Sequence, residues 1–227
     1  MVRKVDYQGR NLRNFVYHHI LWFEKLILYL HRKMFNNVPN LYIISGCNGS
    51  GKTTASYTIL PEMLHCKEFV NSDEIAKGLS PNTMAVEVEA SRIMYKRIRE
   101  LIGMAETFAL ETTLASRSIA NLIKDAQMKD YYVTLLFFWL NTPDLAVERV
   151  KNRVEAGGHD VNELTVRRRY RTGIVNLFDL YIPICDYWMI TDNSLSPMEV
   201  VAKGFKQRER YIDNELIYNK LKDYERT

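Results

Sequence analysis

Between Gly46 and Thr53 the chain reads GCNGSGKT, which satisfies G-x-x-x-x-G-K-[ST] at every position. An apolar run, LYIIS, leads into it and a helix-compatible segment follows, the setting a phosphate loop requires. Glycines let successive backbone N–H groups turn inward around a phosphate chain, and the new helix adds its positive end. Gly46, Cys47, Asn48, Gly49, Ser50, Gly51, Lys52, Thr53 and Thr54 are therefore the candidate binding residues for a nucleoside triphosphate, with ATP expected. Lys52 can reach the β and γ phosphates, and the Thr53 hydroxyl is the candidate ligand for Mg2+. A chance match in a turn is the alternative, and the flanking segments argue against it. Kinases, switches, motors and transporter ATPases share the loop, so other residues must identify the reaction.

Three groups of residues bear on that. In EFVNSDEIAKGLSP, Asp73 lies just past a short strand-like run. A carboxylate there can accept the proton of a substrate hydroxyl or help order Mg2+; equally, it can cap a helix that begins near Glu74. FALETT ends a third run with Glu111, Thr112 and Thr113. Glu111 and Thr112 are candidates for substrate contact, joined by Arg117, while a helix start capped by a threonine is the structural alternative. Residues 149–171 carry Arg149, Lys151, Arg153, Arg167, Arg168, Arg169 and Arg171 against Glu155, Asp160 and Glu163, a net of +4. Arg149 and Arg153 share one helical face, and Arg168 and Arg171 can share another. The intervening GGHDV is a hinge candidate. Two arginine-bearing helices on such a hinge make a lid whose guanidinium groups steady a transferring phosphoryl group. A solvated basic face or a nucleic-acid patch is the alternative. His159 is either a general acid or a hinge contact. The fourth apolar run ends in Asn141 rather than an acid, and no LSGGQ-like signature occurs, which argues against motors and transporters.

Strands at Leu41–Ser45, 69–71, Phe108–Thr112, Val133–Leu140 and Tyr187–Thr191 alternate with helices at 52–64, 82–103, 116–129, 143–156 and 162–178. That alternation predicts an α/β fold of the P-loop type: a three-layer α/β/α domain on a mainly parallel five-stranded sheet. Ligands in such sheets collect at the carboxyl ends of the strands, where the candidates above lie. Residues 39–196 are the expected core, including the lid at 149–171. Residues 1–38 are the expected N-terminal helical extension. Residues 197–227 are the expected C-terminal helical tail, with Val201, Phe205, Ile212 and Leu216 as its inner stripe.

Composition narrows the class. The chain has 227 residues, 47% of them apolar, so it can bury a core. Its formal charge of +4 does not by itself argue for nucleic acid or membrane. Cys47, Cys66 and Cys185 have neither disulfide nor metal-ligand spacing and fit a reducing cytoplasm. For Cys47, a small buried side chain outweighs a redox role. No secretory signal is visible, and the expected location is cytoplasmic. Phe15–Leu30, FVYHHILWFEKLILYL, contains Glu24 and Lys25 and falls short of the roughly 20 apolar residues of a membrane span. Phe15, His19, Trp22, Leu26 and Leu30 recur at helical spacing, which predicts a helix packed on the core, with a partner-docking face or membrane-surface helix as alternatives.

GCNGSGKTT, FVNSDEIAKGLSP, FALETTLASRS, RVEAGGHDVNELTVRRRYRTGIVNLF and TDNS occur in an order and setting that resemble the zeta-toxin-like P-loop kinases, over roughly Asn40 to Ser194. The resemblance implies transfer of the ATP γ-phosphate, with Mg2+, to a hydroxyl of UDP-N-acetylglucosamine, and an antitoxin protein as partner. It implies Lys52 and Asp73 as catalytic residues, Glu111 as a substrate-binding residue, and phosphate-binding arginines among Arg149, Arg153, Arg168 and Arg169. Arg153 and Arg168 are the pair selected for catalysis, Arg149 and Arg169 for holding ATP. The sequence departs from the family where ETTLASR replaces an EGTGR-like stretch, and the aromatic N-terminal segment has no counterpart. The reading is therefore a small-molecule kinase with a UDP-sugar-like acceptor. A polynucleotide 5'-kinase and a nucleotide-binding interaction module are its rivals.

Overall fold

Every residue of the strand Tyr132–Trp139 is buried, the consequence of an apolar run flanked by strands at its edges and side chains on both faces. This is β4 of a seven-stranded sheet in the computed structural model, which describes residues 38–62, 64, 66–79, 84–206 and 209–224. The other strands are β1 (Asn40–Ser45), β2 (Glu68–Val70), β3 (Phe108–Thr112), β5 (Tyr187–Asp192), β6 (Glu199–Phe205) and β7 (Glu209–Ile212). Their order is β2-β3-β1-β4-β5-β6-β7. The first five strands pair in parallel, and β6 and β7 add antiparallel to the β5 edge.

The described helices are α1 (Lys52–Glu62), α2 (Ser72–Leu79), α3 (Met84–Gly103), α4 (Ile119–Gln127), α5 (Pro143–Glu155), α6 (Glu163–Asn176) and α7 (Glu215–Asp223), with a π-helical turn at Leu177–Tyr181. Side chains alternate across the sheet. Leu41, Ile43, Leu110, Leu135 and Phe137 join one core with α3–α7. Tyr42, Ile44, Leu136 and Phe138 join the other with Leu64, Cys66 and Ala55 of α1. Local signals set the helix boundaries. Thr142 caps α5, its hydroxyl accepting from the Leu145 amide at 3.1 Å, with Pro143 as the first helical residue. Asn162 caps α6 by accepting from the Leu164 amide at 3.0 Å.

Two expectations need correction. The sheet has seven strands, not five, and the segment after Pro197 is not a continuous helical tail. Val201 and Phe205 lie on β6 and Ile212 on β7, so three members of the supposed helical stripe belong to a hairpin. EVVAKGF is rich in β-branched and aromatic residues, and β5 offered an edge to pair with, so pairing overrode the helical spacing. Leu216 is on α7 but is 86% exposed and faces away from the core. The expected Phe15–Leu30 helix and residues 1–37 of the expected extension lie outside the described residues, as do positions 207–208 and 225–227 of the tail. Among the described residues no helix is long and apolar enough to cross a membrane.

Candidate active site

Strand register brings the chemical residues together. Ile44 of β1 pairs with Glu111 of β3, and Val70 of β2 pairs with Leu110. Glu111 therefore lies one residue before the end of its strand, between the last residues of β1 and Asn71. The acid that the sequence lacked at the end of β4, where Asn141 stands, is present at the end of β3, and β3 borders β1 on its other side.

The phosphate loop has the conformation its glycines require. Gly46 has φ 141°, and a Cβ there would fall 2.2 Å from the Phe138 carbonyl oxygen. The loop packs down on β4 more closely than any side chain allows. Lys52 is buried and folds back across the loop, its Nζ donating to the Cys47 carbonyl at 2.8 Å. On the far side, Asn193 Nδ2 donates to the Ser50 carbonyl at 2.8 Å. The Asn193 backbone N–H in turn donates to the Trp139 carbonyl at 2.9 Å, fixing the post-β5 loop to β4.

Behind the loop, the Thr53 hydroxyl lies 3.1 and 2.9 Å from the two carboxylate oxygens of Glu111. Lys52 Nζ is 3.8 Å from the same carboxylate, and both side chains are under a tenth exposed. Asn71 Nδ2 donates to Glu111 Oε2 at 2.9 Å. Burial pushes the Glu111 carboxyl above the usual carboxylate range. Lys52 and the Thr53 hydrogen bond oppose the shift, and the nearby Asp73 and Glu74 charges add to it. The Asn71 carboxamide oxygen accepts from the Asp73 and Glu74 amides at 2.8 and 3.4 Å. Asn71 is thus the side chain that caps α2. Asp73 lies in the first turn of that helix, half-buried, with its carboxyl not needed for capping.

Two chambers meet at Asp73. The larger, of about 1010 Å3, lies between α2, the start of α3 and the turn leading into α6. Lys77, Glu87, His159, Asp160, Arg168 and Arg169 supply its charged and titratable wall beside Asp73. The smaller, of about 320 Å3, reaches Lys52, Asn71 and Glu111 and is walled by hydroxyls, among them Tyr95, Thr112, Thr113, Ser116 and Ser118. Ser72, Asp73, Ser91 and Arg169 border both. A sharp turn positions the threonines: Leu114 has φ 57°, its amide is held by the Thr112 hydroxyl at 3.1 Å, and its carbonyl accepts from Asn176 Nδ2 at 2.7 Å.

The arginines divide by location. Arg169 reaches the phosphate loop, its Nη1 donating to Asn48 Oδ1 at 3.3 Å. Arg149 packs beside Gly49 and donates to the Ser194 carbonyl at 3.0 Å. Arg168 lies on the wall of the larger chamber, exposed. Arg153 borders neither chamber and folds onto the Gly157-Gly158 turn, donating to the His159 carbonyl at 2.6 Å. Arg167 ties α6 to α5 through Asp144 at 2.7 Å and to Glu163 at 2.9 Å. Arg117 is exposed and outside both chamber walls. Cys47 and Thr54 lie on the loop and first helical turn; Cys47 is buried and a free thiol, and Thr54 is exposed. Sequence reasoning missed Asn71, Tyr95 and Ser118. For Asn71, its place immediately after β2 and two residues before Asp73 was the available signal; Tyr95 and Ser118 carried none.

Comparison with known proteins follows the same line. The family model described as Zeta toxin matches residues 29–173. An uncharacterized protein of Haemophilus influenzae is 32% identical over 130 residues, covering 55% of this chain and 88% of that protein. Among solved structures, the AvrRxo1-ORF1:-ORF2 complex with ATP has a chain with TM-score 0.63 at 16% identity, covering 97% of this chain and 79% of its own. A chain of the PezAT chromosomal toxin-antitoxin system of Streptococcus pneumoniae has TM-score 0.57 at 14% identity, covering 90% of this chain and 93% of its own. At those identities the likeness is one of fold.

Proposed function

The chain belongs to the zeta toxin family, and on that footing we propose that it is an ATP-dependent kinase which moves the γ-phosphoryl group onto an alcohol of a small molecule. The observation that carries the reading is that Asp73 borders both chambers, one of which reaches Lys52 of the phosphate loop. An acceptor entering between α2, α3 and the α6 turn would bring a hydroxyl between that carboxylate and the terminal phosphate.

The groups have separable tasks. The loop Gly46–Thr53 holds the triphosphate of ATP through its backbone amides, and Lys52 exchanges the Cys47 carbonyl for phosphate oxygens. Asp73 accepts the proton as the acceptor oxygen bonds to the γ-phosphorus. The bond from that phosphorus to the β–γ bridging oxygen breaks, and ADP leaves with the electron pair. Arg169, from the lid side, steadies the charge on the transferring group, with Arg149 beside the loop. Arg168 faces the acceptor. The Thr53 hydroxyl is a hard oxygen donor of the kind Mg2+ takes, and the ion, when bound, would neutralise the β and γ oxygens.

Charge favours a small acceptor over a nucleic acid. The wall of the larger chamber carries Lys77, Arg168 and Arg169 against Asp73, Glu87 and Asp160, a balance unlike the cationic track that binds a polyphosphate backbone. Within that class a UDP-sugar, UDP-N-acetylglucosamine first, is the acceptor we propose, and an antitoxin protein the partner. The test is γ-labelled ATP with a panel of UDP-sugars, nucleosides and oligonucleotides, read by mass spectrometry. A phosphorylated UDP-sugar is the expected product. Phosphate release with every acceptor unchanged overturns the kinase reading, and a labelled oligonucleotide with steep salt dependence replaces it with a polynucleotide kinase.

A further inference from the structure

We propose that Phe15–Leu30, which lies outside the described residues, docks as a helix on this chain's own sheet, over the β4–β5–β6 side of the face that α1 leaves open. The inference does not depend on the phosphotransfer reading.

The need for an occupant follows from the handedness of the connections. Along the order β2-β3-β1-β4-β5, the steps from β2 to β3, β3 to β4 and β4 to β5 all run one way. Right-handed crossovers put their helices, α2–α6, on one face. Only the step from β1 to β2 runs back, so α1 falls on the other face, where it packs chiefly against β1 and β3. After β5 the chain forms the β6–β7 hairpin, and α7 joins the first core. Among the described residues, therefore, no helix is seated over β4 and β5 on the α1 side. Leu136, Phe138, Tyr187 and Met189 nonetheless point there, with Thr134 two residues before Leu136 on the same face. All five are at most 4% exposed. Val200 and Phe205, both half-buried, carry the face onto β6.

The segment fits by length, by pattern and by attachment. As a helix its 16 residues span about 24 Å at 1.5 Å per residue, against about 26 Å for the 8 residues of β4. Trp22, Leu26 and Leu30 share a side with Phe15, and Glu24, two residues from both Trp22 and Leu26, falls on the opposite one. The chain also enters the sheet beside this face. Asn40, the first residue of β1, pairs with Tyr132 at the start of β4, and the Tyr132 amide donates to the Pro39 carbonyl at 3.0 Å. Residues 31–37 reach up to about 24 Å, enough to seat Leu30 beside the amino ends of those two strands. So short a tether gives an effective concentration on the order of millimolar, which favours the chain's own segment over a second copy or a free partner. The seat is behind the phosphate loop. Phe138 faces it, and a Cβ on Gly46 would meet the Phe138 carbonyl oxygen. The segment thus braces the strands that carry the loop and covers neither chamber.

The test uses the full chain and two measurements. In the first, the photoreactive residue p-benzoylphenylalanine replaces Trp22 or Leu26, and after irradiation the cross-linked peptides are mapped by mass spectrometry. Cross-links at the mass of one chain into residues 132–138, 187–191 or 198–205 are expected. Cross-links at twice that mass seat a second copy on the face. Cross-links into α3–α7, or none from either position, leave the face to another occupant. Each of these overturns the proposal. The second measurement needs no variant. The tryptophans are Trp22, Trp139 and Trp188, and the last two are 2% exposed, so acrylamide quenching of the wild-type chain reads Trp22. Uniform shielding is expected, and a freely quenched fraction of about one tryptophan in three overturns the docking. Loss of that fraction on adding vesicles of phosphatidylcholine and phosphatidylglycerol assigns the segment to a membrane surface instead.

Discussion

Asn71 and Glu111 are joined side chain to side chain, Asn71 Nδ2 donating to Glu111 Oε2 at 2.9 Å. The other end of the same carboxamide accepts from the Asp73 amide at 2.8 Å. One buried side chain thus fixes both the helix that carries the candidate base and the acid behind the phosphate loop. Asn71→Ala removes a helix cap, for which about 0.5–2 kcal/mol of stability is expected to be lost. It also releases the Glu111 carboxylate and the backbone turn that carries Asp73, so kcat should fall by about 10–100-fold, the range for removing a hydrogen-bond partner that orients a site residue. Thermal denaturation and steady-state kinetics check the two parts. Unchanged kcat in a folded variant would mean that Asn71 only starts a helix.

Asp73 is not required to cap its helix, because Asn71 does that. Asp73→Asn should therefore leave the fold intact and act on chemistry alone. We expect kcat to fall by about 100–10,000-fold, the range of a positioned general base, with AMP-PNP affinity kept within a few-fold. Isothermal titration with the analogue, beside turnover with ATP, separates the two. Turnover within a few-fold of wild type would remove Asp73 from the reaction.

Much of this was legible in the chain. The parallel strands, the loop and the order of the acids follow from apolar runs ending in GCNGSGKT, NSD and ETT, because strand ends and helix starts are local signals. What failed was non-local. Val201 and Phe205 share a helical spacing and a strand spacing, and only the open edge of β5 decided between them. The partners of Glu111 depended on register, which puts Ile44 opposite it and Asn71 one residue beyond the Val70–Leu110 pair. Arginine roles were beyond reach for the same reason. Arg168 and Arg169 are neighbours in sequence, yet only Arg169 contacts the phosphate loop among their described hydrogen bonds.

That division predicts different kinetic signatures for Arg153 and Arg169. Gly158 lies against Arg153, where a Cβ would fall 2.6 Å from Cγ and 2.9 Å from the backbone carbonyl oxygen. Gly158→Ala should displace the arginine and the turn between α5 and α6, costing about 1–3 kcal/mol as an overpacked contact and changing kcat and KM together as hinge changes do. Arg153→Ala should reproduce that mixed pattern. Arg169→Ala should instead lower kcat by about 100-fold or more, as loss of a transition-state charge partner does, with the acceptor KM little changed. A pure kcat loss in Arg153→Ala would reverse the assignment.

The thiols are expected to be inert in the native protein. Burial raises the Cys47 thiol to about 11 despite the opposing charges of Lys52 and Arg149, and burial likewise raises Cys66 to about 11. Cys185 is fully buried and shifted in the same direction. At pH 8 only about one molecule in a thousand would carry a Cys47 thiolate, the reactive form. Iodoacetamide at pH 8 should therefore leave the intact mass unchanged, and in denaturant all three cysteines should be alkylated. Reactivity rises as pH approaches 11, because deprotonation, not protonation, creates the nucleophile. Stoichiometric labelling of Cys47 at pH 8 in the folded protein would contradict the burial that defines the loop.

Tyr170 lies one residue beyond Arg169 but faces the opposite way, into the core. Its hydroxyl donates to the Leu140 carbonyl at 2.6 Å and accepts from Trp139 Nε1 at 3.0 Å, and both aromatic side chains are 2% exposed. Tyr170→Phe keeps the ring and removes the oxygen, leaving a buried indole N–H and a carbonyl without that partner. A buried polar group left unsatisfied costs about 1–3 kcal/mol, and in a chain of this size each kcal/mol lowers Tm by about 2–4 °C. Because β4 ends at this contact and the Asn193 loop hangs from Trp139, a looser anchor should also weaken AMP-PNP binding by a few-fold while leaving kcat at saturation near wild type. Calorimetry and analogue titration test both parts, and an unchanged Tm would show that water replaces the hydroxyl.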